Sequence, residues 1–474
     1  MSLPRRVAWN TLTQATARAV TLGLSVLTTV LLTRHLGVSG YGVYVTVTVY
    51  LSFFALFFDA GVTTLVVRTL STDERRIDLF REAIGLRIVL AVPIALLALV
   101  IALLVYGGAD DETTRYAIAI GLPLVLSISV ASAVGALLQA RLQMDRAAVA
   151  EVAGQLTGVG LIVLFVLTDR SIYWIVAAAV AGSLVNMTVL LALARRIAPV
   201  RPLFRPRKWM PLLREALPLG LALMVSAIYF RADAVLLSIL KGSEAVGIYG
   251  VAYRLLEAVV AFPGFFYVSI FPLLSQGAGR NDLANVREVT QRAFDLLVLA
   301  AVPLVVGTIL AAPEIVSALA GDDFEAAVTP LRIVIVGAGL MFVSGLLSYV
   351  LVAVGQQRML LWVGLATLVL NVGLNLALIP SYSYNAAAWV ATGSETLALA
   401  CLLALVWRTV RFVPALRVTA KAVVAGGLMA ACLVFMPSNL ALLVVVGAAV
   451  YGIALVLLRT HVSLELGRLL GAGQ

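Results

Sequence analysis

The chain has 474 residues, 62% of them hydrophobic and 12% charged, with a mean hydropathy of +1.06. Soluble domains carry about 25% charged residues, so this composition excludes a soluble globular protein and indicates a chain that crosses a membrane many times. The net charge of +10 does not imply a nucleic-acid partner, because the basic residues are apportioned among particular segments rather than gathered in one arm.

Stretches long enough to cross a hydrocarbon core of roughly 30 Å at about 1.5 Å per residue recur along the sequence. They fall at 12–33, 42–66, 83–106, 116–139, 149–168, 172–194, 216–239, 246–271, 291–312, 328–353, 359–379, 385–407, 418–436 and 440–458, which makes an all-α polytopic protein of about fourteen spans. Pro4, Arg5 and Arg6 lead into a first stretch too long for a signal-peptide core and without a cleavage site, so it is expected to stay as a span. Cys401 and Cys432 both fall inside spans, and two histidines, His35 and His461, are too few for a metal cluster. No metal or cofactor is expected.

Orientation follows from Lys and Arg, which cytoplasmic loops retain. With the N-terminus inside, inner segments hold 25 of the 34 and outer segments four, namely Arg34, Arg115, Arg170 and Lys241. Both termini are therefore expected in the cytoplasm. The same basic balance suits anionic lipid headgroups. The segment 195–214 carries seven basic residues with Pro199, Pro202, Pro206 and Pro211, and reads as a stiff cytoplasmic linker. The expected organisation is a six-span lobe at 1–194, that linker, a second six-span lobe at 215–407, and two further spans with a cytoplasmic tail at 408–474.

Five basic residues remain inside spans: Arg18, Arg87, Arg231, Arg254 and Arg332. A charge exposed to lipid costs about 3 kcal/mol or more, so these must snorkel or face protein or a wet cavity. Arg231 lies eight residues before Ile239 and Arg254 eight after Val246, either side of a short turn, which gives them a common depth. Asp233 and Glu257 accompany them. Arg18 and Asp59 lie about six and seven residues from the inner ends of their spans and are placed to meet. Arg87 and Arg332 lie within about a turn of span ends and are expected to snorkel. Glu395, near the middle of the twelfth span, has no arginine at its depth; Asn371 and Asn375 share one helical face, as sugar contacts or as links to a neighbouring helix.

The turns after the first and seventh spans repeat. Gly37-Val-Ser-Gly-Tyr-Gly42-Val-Tyr44 and Gly242-Ser-Glu-Ala-Val-Gly247-Ile-Tyr249 share G-x4-G-x-Y at an offset of 205 residues. Six spans separate the copies, so both have the same orientation, as in parallel halves related by an axis along the membrane normal.

These turns, with "FFDAGV" at Phe57–Val62, "IYFRADAVLL" at Ile228–Leu237, "IFPLLS" at Ile270–Ser275 and "NVGLNLALIPSYSYNAAAWV" at Asn371–Val390, resemble the polysaccharide-exporter branch of the multidrug/oligosaccharidyl-lipid/polysaccharide (MOP) exporter superfamily, the Wzx-type flippases. The resemblance runs over about residues 5–458, with a departure at Asn385, where relatives commonly carry Gly. It implies two six-helix bundles in a V around a central cavity, two extra C-terminal helices, and export of an isoprenoid-diphosphate-linked oligosaccharide by alternating access at the cell membrane, beside other polysaccharide-assembly proteins. Such a substrate calls for arginine, whose planar guanidinium holds phosphate oxygens in pairs without losing its proton. Arg231 and Arg254, then Arg18, are the candidate diphosphate ligands; Asp59, Asp233, Glu257 and Glu395 are candidate cavity ion pairs or coupling acids. An ion-coupled drug or cation antiporter of the same fold is the alternative, and would favour a cavity of unpaired acids. No enzyme is expected, since the longest outer loop, around Pro313–Ala327, is only about fifteen residues. A nucleotide-binding glycine loop with its lysine is missing, which leaves a coupling ion (H+ or Na+) or the membrane potential as the drive.

Overall fold

The structure, a computed structural model, describes residues 3–59, 61–73, 75–108, 111–437 and 439–458; the expected C-terminal tail lies outside them. The described residues fold as helices, with one short 3₁₀ segment at Asp322–Ala327. Chain order is α1 (Leu3–Asp59), α2 (Val62–Thr72), α3 (Ile77–Val105), α4 (Glu112–Gly121), α5 (Pro123–Ala140), α6 (Met144–Leu167), α7 (Ile172–Ala194) and α8 (Pro206–Tyr229). There follow α9 (Ala232–Gly279), α10 (Leu283–Leu310), α11 (Ala312–Ala320), α12 (Val328–Ala353), α13 (Gln357–Val410), α14 (Arg417–Val434) and α15 (Leu440–Leu457). Eleven helical runs are long and apolar enough to cross a membrane, and three of these, in α1, α9 and α13, are divided into two arms by a non-helical residue at Gly37, Gly242 or Ser383. Counting each arm, with α8 leading into the short first arm of α9, gives the fourteen spans expected from hydropathy. The loop expected at 313–327 is ordered as α11 and the 3₁₀ segment.

The two repeated turns adopt one conformation. Gly37 has φ 65° and ψ −172°, Gly242 φ 77° and ψ −172°. That region is open to glycine because it has no Cβ, which explains the first glycine of each motif.

The chain divides into two compact units, Met1–Gly247 and Ile248–Gln474. In the first, Val66 and Leu70 of α2, Phe80 and Ile84 of α3, Leu137 and Leu138 of α5 and Leu212 of α8 form the core. In the second, Leu274 of α9, Ala293 of α10, Phe342 and Leu346 of α12 and Val406 of α13 do so. A separate cluster packs Ala425 and Met429 of α14 and Leu443 and Tyr451 of α15 against Ala311.

Two expected spans are interrupted where hydropathy predicts continuity. The stretch 42–66 ends as helix at Asp59 and restarts at Val62, with Gly61 at φ 79°. A Cβ on Gly61 would lie 2.5 Å from both the Ala216 carbonyl oxygen and the Gly220 nitrogen, so α8 passes against bare backbone there. The stretch 216–239 breaks at Phe230 and Arg231, between α8 and α9. Broken helices at membrane depth are tolerated where the freed backbone groups line a cavity or are covered by protein.

The basic linker is strapped along α3. Leu203 N donates to the Arg81 carbonyl at 2.9 Å, and Arg81 Nε donates to the Arg201 carbonyl at 3.0 Å. The buried carboxylate of Glu82 is held by Arg205 at 3.2 Å and Lys208 at 3.5 Å.

Candidate functional site

The interrupted helices meet at a cavity of about 360 Å³ in the first unit, lined by Ser52, Ala55, Asp59, Arg87, Ile128, Ser129, Ser132, Phe230 and Arg231. Asp59 and Arg231 reach it from the two helix breaks, while Ser52 of α1, Arg87 of α3 and Ser129 and Ser132 of α5 supply the rest of its polar wall.

Arg87 organises that wall. Its Nη2 donates to Asp59 Oδ1 at 2.6 Å and to Thr63 Oγ1 at 2.8 Å, and Nη1 donates to the Ser129 carbonyl. Thr63 donates its backbone N–H to Asp59 Oδ1 at 3.3 Å and its hydroxyl to the same oxygen, and Thr63 Oγ1 lies 2.8 Å from Ser132 Oγ. Asp59 therefore closes the start of α2 and neutralises Arg87 at once. Arg87 Nε and Ser129 Oγ are buried and find no partner among the described residues. On the opposite side of the break, Asp233 is 3% exposed and its Oδ1 accepts from Ala234 N at 2.8 Å, a carboxylate in the first turn of α9 where the helix dipole favours negative charge.

The charged lining is thus two guanidinium groups and one carboxylate. Serine hydroxyls and the ring of Phe230 complete it. Guanidinium is the side-chain group best shaped for phosphate oxygens, and serine hydroxyls both donate and accept hydrogen bonds.

Several sequence expectations land elsewhere. Arg18 does not meet Asp59; it lies 3.8 Å from Glu151 of α6, both side chains about half exposed, because the rotation of α1 turns it toward α6. Arg87 does not snorkel. Its side chain is 0% exposed, since α3 begins at Ile77, six residues before the expected start, which puts Arg87 about 15 Å along the helix. Arg332 is exposed, and its Nε donates to the Ile309 carbonyl at 3.0 Å.

In the second unit, Arg254 Nη1 donates to Glu257 Oε2 at 3.0 Å within one helical turn. Glu395, 5% exposed, accepts from the Ser344 hydroxyl. Asn371 Nδ2 donates to Ser394 Oγ at 3.3 Å across the two arms of α13, and Asn375 Nδ2 to Asn371 Oδ1 at 3.0 Å. The cavity of the first unit thus gathers Asp59 and Arg231 with Arg87, Ser129 and Ser132, residues the sequence reading did not nominate as site groups. The acid-Ala-Gly step at 59–61, a helix-breaking glycine beside a charge within an apolar stretch, was the signal available for them.

The fold is similar to that of the Lipid II flippase MurJ in an inward closed conformation, with a TM-score of 0.80, 15% identity, and coverage of 94% of this chain and 98% of that one. It is also similar to a MATE family multidrug resistance transporter of the MOP superfamily in an inward-facing conformation, with a TM-score of 0.68, 15% identity, and coverage of 84% and 94%. The chain therefore shares the all-helical fold of these two proteins. In sequence, residues 7–278 match the family described as polysaccharide biosynthesis protein, and residues 218–377 match the MatE family. The first match spans more than half of the chain, which belongs to the polysaccharide biosynthesis protein family. A protein of Haloferax volcanii named as a probable flippase, AglR, is 25% identical over 244 residues, 49% of this chain and 51% of that one, so the match spans about half of the relative's length.

Proposed function

We propose that this chain is a flippase that carries an isoprenoid-diphosphate-linked oligosaccharide from the inner to the outer leaflet of the cell membrane by alternating access, for the assembly of a surface polysaccharide. The observation that supports it is the cavity at the two helix breaks, whose lining holds the guanidinium groups of Arg87 and Arg231 among serine side chains. In this reading Arg231 binds the diphosphate. Arg87 and Asp59 are positioning residues that hold α2, α3 and α5 around it, while Ser52 and Ser132 meet sugar hydroxyls. The protein is a transporter without a catalytic group, both termini face the cytoplasm, and the membrane potential or an H+ or Na+ gradient drives the cycle.

The match to the MatE family favours one other reading, an ion-coupled drug or cation antiporter. That activity needs a cavity carboxylate available to a cation, and Asp59 is committed to Arg87 and Thr63.

Substitutions at Arg231 separate the readings. Arg231→Lys keeps the charge and removes the planar fork; it and Arg231→Ala are expected to lower glycan export by about tenfold or more with thermal stability retained. Normal export in a stable Arg231→Ala protein would show that the anion site lies elsewhere.

A further inference from the structure

The repeated turns lie outside the cavity, yet they pack on one another. A Cβ added to Gly42 would fall 1.7 Å from the Ser243 carbonyl oxygen and 2.9 Å from the Gly247 nitrogen. One added to Gly247 would fall 2.2 Å from the Val38 carbonyl oxygen and 3.3 Å from the Gly42 nitrogen. Val38 and Ser243 are equivalent at the offset of 205 residues, as are Gly42 and Gly247, so the contact is reciprocal. Each copy of the motif presents its second glycine to the carbonyl that follows the first glycine of the other. Ser39 Oγ lies 3.0 Å from Ser243 Oγ beside this crossing.

A second layer lies between the turns and the cavity. Tyr106 Oη is 2.8 Å from Ser238 Oγ in a buried contact, and its ring meets Tyr50 edge-on with centroids 6.0 Å apart. Tyr50 donates to the Ala98 carbonyl at 2.6 Å and stands two residues before Ser52, which lines the cavity.

Backbone-to-backbone contact through glycine closes a passage tightly while interlocking no large side chains. Separating such surfaces exposes little apolar area and breaks few hydrogen bonds, which suits a contact that opens in every cycle. Resting on the transport reading above, we propose that the two G-x4-G-x-Y turns form the outer gate of the transporter, with Gly42 and Gly247 as its closing surfaces and the Tyr50–Tyr106–Ser238 layer as the seal beneath. With the two turns in contact, as they are here, this gate is closed. A side chain at either glycine blocks re-closure and holds the gate open.

The test uses the full chain with Cys401→Ala and Cys432→Ala and one reporter, Ile128→Cys, on the cavity wall. A membrane-impermeant maleimide is applied to intact cells. Gly42→Ala and Gly247→Ala are expected to raise labelling from outside by about tenfold or more, as overpacking of a tight contact shifts the open population. Gly135→Ala, where a Cβ meets nothing within 4 Å, serves as the control and is expected to leave labelling unchanged. Should the alanine variants fail to accumulate, Ser39→Cys with Ser243→Cys replaces them: oxidation of that pair is expected to join the turns and leave the reporter open to labelling from inside-out vesicles alone. Labelling from outside that is unchanged by the glycine substitutions, or that persists with the pair oxidised, overturns the gate. The readout needs no substrate, so a gate that responds in a protein on which glycan export does not depend would sink the substrate reading and leave the gate standing.

Discussion

Asp59→Ala leaves the Arg87 guanidinium in a site where its side chain is 0% exposed, with the Ser129 carbonyl and the Thr63 hydroxyl as its remaining acceptors. Asp59 itself is 26% exposed, so most of the unpaired cost falls on the arginine. Removing one member of a buried ion pair typically costs about 3–5 kcal/mol. The pair here has a 2.6 Å contact and Asp59 Oδ1 takes three donors, which places Asp59→Ala toward the upper end. Asp59→Asn keeps an amide oxygen for Thr63 and Arg87 and belongs at the lower end, about 3 kcal/mol. For a chain of this size such losses correspond to a fall in Tm on the order of 5 °C. Removing both charges, Asp59→Leu with Arg87→Met, leaves nothing uncompensated and is expected to return stability to within about 1 kcal/mol of the parent. The assay is thermal unfolding in detergent followed by tryptophan fluorescence, run as a double-mutant cycle. A parent-like Tm for Asp59→Ala, or a double variant as unstable as the two singles together, would refute the argument that this pair holds the cavity wall.

Three further outcomes follow from the same contacts. Asn371→Leu removes the bond to Ser394 and the acceptor of Asn375, both buried, and is expected to cost about 1–2 kcal/mol; lost export with stability intact would instead mark Asn371 as a sugar contact. Arg254 and Glu257 are 39% and 28% exposed, so breaking their pair should cost under about 1 kcal/mol in an unfolding assay, and a large loss of export on that background would identify Arg254 as a second anion ligand. Cysteines placed singly between Arg195 and Arg214 are expected to resist an impermeant thiol reagent on intact cells, and ready labelling from outside would invert the proposed topology.

The spans were legible because lipid imposes one rule on every residue within it, and a window of apolar residues reports that rule directly. The turns at Gly37 and Gly242 were legible for a similar reason: each needs a backbone conformation that glycine supplies, so the same residues recur. What hydropathy missed was set by contacts between distant segments. The start of α3 at Ile77 was hidden because Asp78, Arg81 and Glu82 look like loop residues, although Arg205 and Lys208 of the linker satisfy both acids. Hydropathy alone therefore places Arg87 close to a span end, too far out to meet Asp59. Arg18 and Asp59 matched in expected depth, but depth along a helix says nothing of the face on which a side chain emerges, and α1 turns Arg18 toward Glu151. The breaks at Gly61 and Arg231 average away in a hydropathy window because the flanking residues are apolar on both sides.

The most direct measurement is flipping in proteoliposomes that hold the purified protein and a fluorescent isoprenoid-diphosphate disaccharide, with the inner-leaflet pool read by protection from a membrane-impermeant quencher. The parent protein is expected to empty that pool well above the rate of protein-free vesicles, with Arg231→Ala slower by about tenfold or more. A parent rate equal to that of protein-free vesicles, alongside accelerated efflux of a cationic dye from the same preparation, would contradict the flippase and favour the antiporter.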